Sequence, residues 1–182
     1  MKITNNKSAI LSQKLLIDAL LTLMKEKKYS QITVSELTEK ADLSRRTFYR
    51  LFSSIDEILL FYIHTLWSQK SSELYDSENI SYMDISRFSL DFWYEHKDLT
   101  ILLYENDLSN IILKFINEIS LEIYKHQQPS EQFEKNPEAM EYALAYSSGG
   151  VHNIICTWAS HGMDKTPAQL MQMFQYTLSS NK

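Results

Sequence analysis

Residues 32–52, ITVSELTEKADLSRRTFYRLF, constrain this chain more than any other stretch. Val34, Leu37 and Ala41 recur at three- and four-residue spacing. Asp42-Leu43 then interrupts the pattern, and Phe48 with Leu51 or Phe52 resumes it. Such spacing marks a helix with one apolar stripe. The segment therefore reads as two short helices joined by a tight turn. Thr33 and Ser44 precede them, and each hydroxyl can accept from a backbone N–H that the first helical turn leaves unpaired. Glu36, three residues after Thr33, completes a capping-box pattern. The inward residues point into one small core.

The outward residues of the second helix carry the chemistry. Arg45, Arg46 and Thr47 lie in its first turn, and Tyr49 and Arg50 follow. A guanidinium fork can grip a guanine edge in the major groove, while hydroxyls and helix-end amides can hold phosphates. Adjacent helical residues diverge by about 100°, so Arg45 and Arg46 need not both read bases; one can bind phosphate. Thr47 can donate to a phosphate or touch a thymine methyl. Arg50 and the Thr33 hydroxyl are weaker phosphate candidates. The pattern is that of a helix-turn-helix DNA reader.

A net charge of −5 argues against such a reader until its distribution is considered. Residues 1–60 hold ten Lys+Arg against seven Asp+Glu, a net +3. Residues 61–182 hold eight against sixteen, a net −8. A basic head on an acidic body orients the chain toward a polyanion.

The remaining sequence is helical in pattern. Only 3 Gly and 3 Pro occur in 182 residues, too few for a turn-rich all-β protein. Periodicity predicts a first helix over residues 8–28, a long amphipathic helix over 54–74 capped by Ser54, and helices over about 83–95, 98–105 and 107–127. Pro137 opens a further helix to about Ser160, and Thr166-Pro167 starts a last one to about Leu178. Residues 1–7 read as frayed, 76–82 as a polar connector, and 129–137 as a break. The expected fold is all-α. A three-helix domain over residues 1–53 is joined through a long fourth helix to a helical effector-binding and dimerisation domain over 54–182.

Apolar runs end well short of the roughly 20 residues a membrane span requires, and no secretory pattern opens the chain. Cys156 is the single cysteine, so no internal disulfide forms. A cytoplasmic protein without cofactor or metal is expected. Glu118, Glu122 and His126 share a helix face that reads as solvated rather than metal-binding. No Ser/His/Asp constellation, phosphate loop or zinc spacing points to an enzyme.

Once placed, residues 10–62 resemble the N-terminal domain of TetR/AcrR-type transcriptional regulators. The resemblance rests on Tyr29, Thr33-Val34, Leu37, Ala41, Leu43-Ser44, Arg45-Arg46, Thr47-Phe48-Tyr49 and Phe52, followed by Asp56-Glu57-Ile58-Leu59. Asp42 stands where the pattern has a turn glycine, and Ile55 where a lysine is common. Asp tolerates a left-handed backbone, so the turn can survive. Residues 142–150, YALAYSSGG, with Trp158, Gly162 and Thr166-Pro167, are similar to a C-terminal region in a subset of these regulators. That subset includes activators and repressors of small metabolic operons.

The resemblance implies a homodimer that places its third helices in successive major grooves of an inverted repeat, and a phosphate contact from Tyr49. It implies a ligand-responsive repressor. The alternative is an activator that works through a partner protein and has no small-molecule effector. Tyr62, Trp67, Trp93 and Tyr104 are candidate effector contacts. Gly149 and Gly150 interrupt a helical pattern at about 1 kcal/mol each relative to Ala, which suggests a helix–helix seam within the subunit or at a dimer interface. Trp158, Met171, Phe174 and Leu178 are expected to complete a four-helix dimer bundle.

Overall fold

The computed structural model describes residues 7–75, 81–126 and 136–179, and only the backbone of residues 73, 75, 82, 137 and 174–179. Most of the expected frayed N-terminus, the connector and the break lie outside these residues. The elements are α1 (Lys7–Glu26), a 3₁₀ turn (Tyr29–Gln31), α2 (Val34–Lys40), α3 (Arg45–Leu51), α4 (Ile55–Lys70), α5 (Ser72–Tyr75), α6 (Tyr82–Glu95), α7 (Lys97–Glu105), α8 (Ser109–His126), α9 (Pro137–Ser160) and α10 (Pro167–Ser179). The fold is all-α, with no strand among the described residues. Contacts divide the chain into two compact units, Met1–Leu66 and Trp67–Lys182, and the division falls within α4.

In the first unit α1, α2 and α3 pack on one another. The α1 stripe of Leu16, Leu20, Leu23 and Met24 is buried against Leu37, Ala41, Phe48 and Phe52. Phe48 is fully buried, and replacing such a ring with Ala costs about 3–5 kcal/mol. Phe52 lies 6.5 Å from Phe48 and 5.5 Å from Phe61, a ring that periodicity had not singled out.

The expected 54–74 helix is interrupted. α4 stops at Lys70, and the N–H of Leu74 bonds the Ser71 carbonyl at 3.0 Å, a three-residue closure that tightens the single turn of α5. Two consecutive serines stand there, whose hydroxyls compete with the helix for backbone groups.

In the second unit α8 and α9 form the most extensive pairing, and α7 also packs on α9. α6 contacts α7, α9 and α10. Trp67, Phe88, Phe92, Trp93 and Phe115 make an aromatic cluster with centroid separations of 5.1–5.9 Å. Isoleucines at 112, 116, 119 and 123 of α8 extend this core.

Three helix ends share one stop signal. After α2, Asp42 takes φ 52° while the N–H of Leu43 reaches the Thr38 carbonyl at 2.9 Å. After α7, Asp107 takes φ 59° and Leu108 N–H reaches Leu103 at 2.9 Å. After α9, Gly162 takes φ 65° and Met163 N–H reaches Trp158 at 2.8 Å. These are Schellman closures, in which a left-handed residue returns the chain to the unpaired carbonyls. Asp42 therefore does what the missing glycine would have done.

Candidate nucleic-acid interface

The short helix α3 is held at both ends and by its buried face. Ser44 adopts φ −78°, ψ 150°, and its Oγ accepts from the Thr47 N–H at 3.0 Å. The same Oγ lies 2.9 Å from the Thr47 hydroxyl. Thr33 caps α2 in the same way, accepting from the Glu36 N–H at 3.2 Å. The expected capping box is not closed, because the Glu36 carboxylate pairs with Lys27 instead. The box forms where periodicity had not placed one: Ser81 accepts from the Asp84 N–H at 3.2 Å, and Asp84 accepts from the Ser81 N–H at 3.1 Å.

α4 is fixed to this assembly at its start. Ser54 accepts from the Glu57 N–H at 3.2 Å, and the Glu57 carboxylate accepts from the Ser53 N–H at 2.6 Å. The Tyr29 hydroxyl donates to Asp56, tying the 3₁₀ turn to the first turn of α4. Burial, reinforced by the Asp56 hydrogen bond and charge, raises the Tyr29 hydroxyl far above its ordinary pKa. The hydroxyl therefore stays a donor. Sequence reading noted Tyr29 and Asp56 separately but had no signal that joined them.

With Phe48 turned inward, Arg45, Arg46, Tyr49 and Arg50 all lie exposed, and Thr47 is half-buried. None of the three arginines has an ion-pair or hydrogen-bond partner among the described residues. By contrast, Lys27 and Lys40 are held by Glu36 and Glu26. Tyr49 sets its ring at 5.0 Å and 85° to Phe48 yet remains 55% exposed, so it is not a plain core ring. Three unpaired guanidinium groups and a phenol thus project from one two-turn helix whose angle is set by packing. This is the arrangement a duplex reader requires.

The expected effector residues do not converge. Of the four, only Trp67 lines a cavity of about 60 Å³ in the second unit, bounded by α6, α8 and α9. Trp93 is sealed between the Phe92 and Phe115 rings at 5.2 and 5.7 Å. Tyr104 lies at the surface, and Tyr62 is half-buried in the first unit. The cavity instead gathers serines at 86, 89, 120 and 147, which apolar periodicity passes over because small hydroxyl residues carry no weight in it.

The expected dimer residues also separate. Trp158 is buried, stacked on Tyr94 at 5.4 Å and 3°, and its Nε1–H donates to the Lys165 carbonyl at 3.1 Å. Met171 is likewise buried in its own subunit. Tyr94 of α6 and the α9–α10 turn cover Trp158, and neither buried side chain is presented at the surface of the subunit. The side chains of Phe174 and Leu178 lie outside the described ones. Gly149 and Gly150 have open space where a Cβ would stand, and α9 runs through them unbroken. Among the described residues no atom of another helix comes within 4 Å of where their Cβ would stand. Ser148 is the residue turned inward, its hydroxyl 3.3 Å from that of Ser120.

This fold, with its capped and unpaired-arginine helix, defines a helix-turn-helix DNA-binding protein. Residues 16–60 match the family described as bacterial regulatory proteins, tetR family, and residues 81–180 match a transcriptional regulator C-terminal region. The chain belongs to the TetR family of transcriptional regulators. It is 28% identical over 122 residues to DhaS of Lactococcus lactis subsp. lactis (strain IL1403), described as an HTH-type dhaKLM operon transcriptional activator. The match covers 59% of this chain and 64% of that relative's length. The Listeria innocua protein Lin0861, whose crystal structure is solved, shares the fold: TM-score 0.80 at 17% identity, over 100% of this chain and 97% of that one. No helix among the described residues is long and apolar enough to cross a membrane.

Proposed function

We propose that this regulator acts as a homodimer on an inverted-repeat operator, with residues 1–53 reading DNA and residues 54–182 responding to an effector and pairing the subunits. Contacts from Thr33, Ser44, Arg45, Arg46, Thr47, Tyr49 and Arg50 would divide between base edges and phosphates. The observation that carries this reading is the set of three exposed, unpaired arginines on α3. Pairing through α9 is supported by the exposed Tyr142, Tyr146, Gly150 and Asn153, which share one face of the helix with the half-buried Gly149. Its action is regulatory rather than catalytic, in the cytoplasm.

Ligand response would work by population shift. An effector changes operator affinity only by binding the DNA-competent and DNA-incompetent states unequally. In the first reading the effector releases a repressor. The second reading is an activator that works through a partner protein without a small-molecule effector; the description of the Lactococcus relative as an activator supports its activating part alone. Selection of random duplexes on the purified protein tests the core of the proposal, and a palindrome with half-sites about one helical turn apart or slightly more is expected. Enrichment of no sequence would reject it. A promoter carrying that palindrome then separates the two readings by whether deletion of the regulator raises or lowers transcription.

A further inference from the structure

Among the described residues of the second unit, the indole N–H groups of Trp67 and Trp93 are buried without a hydrogen-bond partner. Buried donors are nearly always paired, so each orphan asks for an explanation. Their surroundings differ. Trp93 is packed against the Phe92 and Phe115 rings and is not among the residues that line the cavity of this unit described above. Trp67 is 4% exposed and lines the 60 Å³ cavity.

The other walls are of two kinds. Phe115 with isoleucine and valine side chains supplies apolar surface, and serines at 86, 89, 120 and 147 supply hydroxyls. Ser89 and Ser147 have no hydrogen-bond partner among the described residues. A helical serine can bond back to the preceding turn or turn its hydroxyl outward, and these two half-buried side chains do not bond back. Among the described residues no lysine, arginine, histidine, aspartate or glutamate lines the cavity. A charged ligand would lose its hydration there without gaining a counter-charge. A hydrocarbon would leave the indole and the two hydroxyls unsatisfied.

We infer that this cavity binds a small uncharged compound bearing hydroxyl or carbonyl oxygens, which accept from the Trp67 indole and exchange hydrogen bonds with Ser89 and Ser147. One water requires about 10–15 Å³ of such space, so the volume suits a ligand of about four to six non-hydrogen atoms. The inference rests on the ligand-responsive reading above and gives that ligand its chemistry.

The test is a titration of ¹⁵N-labelled full-length protein, following its indole N–H resonances. Trp67→Phe assigns the Trp67 signal and retains an aromatic ring. The neutral probes are hydroxyacetone, acetoin and 1,2-propanediol; the charged ones are lactate and 1-aminopropan-2-ol. A saturable shift of the Trp67 resonance with a neutral probe, with Trp93 and Trp158 unmoved, is the expected result. Ser89→Ala with Ser147→Ala should weaken that binding by about tenfold while leaving the protein folded and bound to its operator. Neutral probes that leave Trp67 unmoved, or shift it without saturation, overturn the inference. So do charged probes that act equally well, although ligand response itself would then survive. Operator affinity indifferent to a probe that saturates the Trp67 shift keeps the site and removes the ligand-responsive reading.

Discussion

At the scale of single residues, the distinction that matters is between arginines that read and arginines that hold. Arg45 and Arg46 are both exposed and unpaired, about 100° apart around α3. A base contact and a phosphate contact leave different signatures. If the residue reads a base, its replacement by Ala should cost about 1–3 kcal/mol and relax preference at one operator position. If it holds phosphate, affinity should fall for all sequences and the salt slope should shrink by about one. Footprinting of Arg45→Ala and Arg46→Ala at several salt concentrations separates the cases, and an unaffected double mutant would remove α3 from the interface. His96 gives a second residue-scale expectation. Burial lowers its pKa, Glu95 opposes this and Lys70 adds to it. The fold thus favours the neutral ring, and the unfolded chain binds the proton more readily. Stability from this group is complete above the ordinary histidine value of about 6.5 and is lost as pH falls through the window below it. Melting temperature should drop from about pH 8 to about pH 5, and His96→Gln should flatten that limb.

At the scale of elements, the caps and stops of the first unit do what packing alone cannot. α2 and α3 have seven residues each, well below the length at which an isolated helix is stable. Ser44→Ala removes the acceptor for the Thr47 N–H and should cost about 1 kcal/mol. Asp42→Gly should act in the opposite direction, by up to about 1 kcal/mol, because φ 52° strains any residue with a Cβ. Urea titrations of the two variants should move the midpoint in opposite senses. A destabilised Asp42→Gly would mean that the aspartate side chain contributes more than its backbone costs. The boundaries of most helices were legible from apolar spacing, Pro137 and Thr166-Pro167. The break at Ser71 and the Ser81–Asp84 box were not, because each depends on local hydrogen bonds that leave no periodic trace.

At the scale of the whole molecule, the proposed dimer needs a surface, and α9 has one. Tyr146 is 86% exposed and Tyr142 68%, next to the open Gly149–Gly150 stretch. Small residues beside large exposed aromatics suit close approach of a second copy of the same helix. Tyr146→Glu would place a charge in that contact and should raise the dimer dissociation constant by at least about 100-fold, roughly 2.7 kcal/mol. Sedimentation velocity checks this. An unchanged dimer would move the interface away from α9.

What the linear sequence determined were properties held within a few turns of chain. These include the helical class, the two hydroxyl caps, the inward Phe48 and Phe52, and the outward arginines. Each follows from periodicity or from a donor and acceptor three residues apart. Only the tertiary structure decided which aromatic meets the cavity, why Trp158 and Met171 are spent inside the subunit, and that Tyr29 binds Asp56. Those outcomes depend on which faces of distant helices compete for the same volume. A helical stripe says that a ring is buried, but the packing of its neighbours says against what.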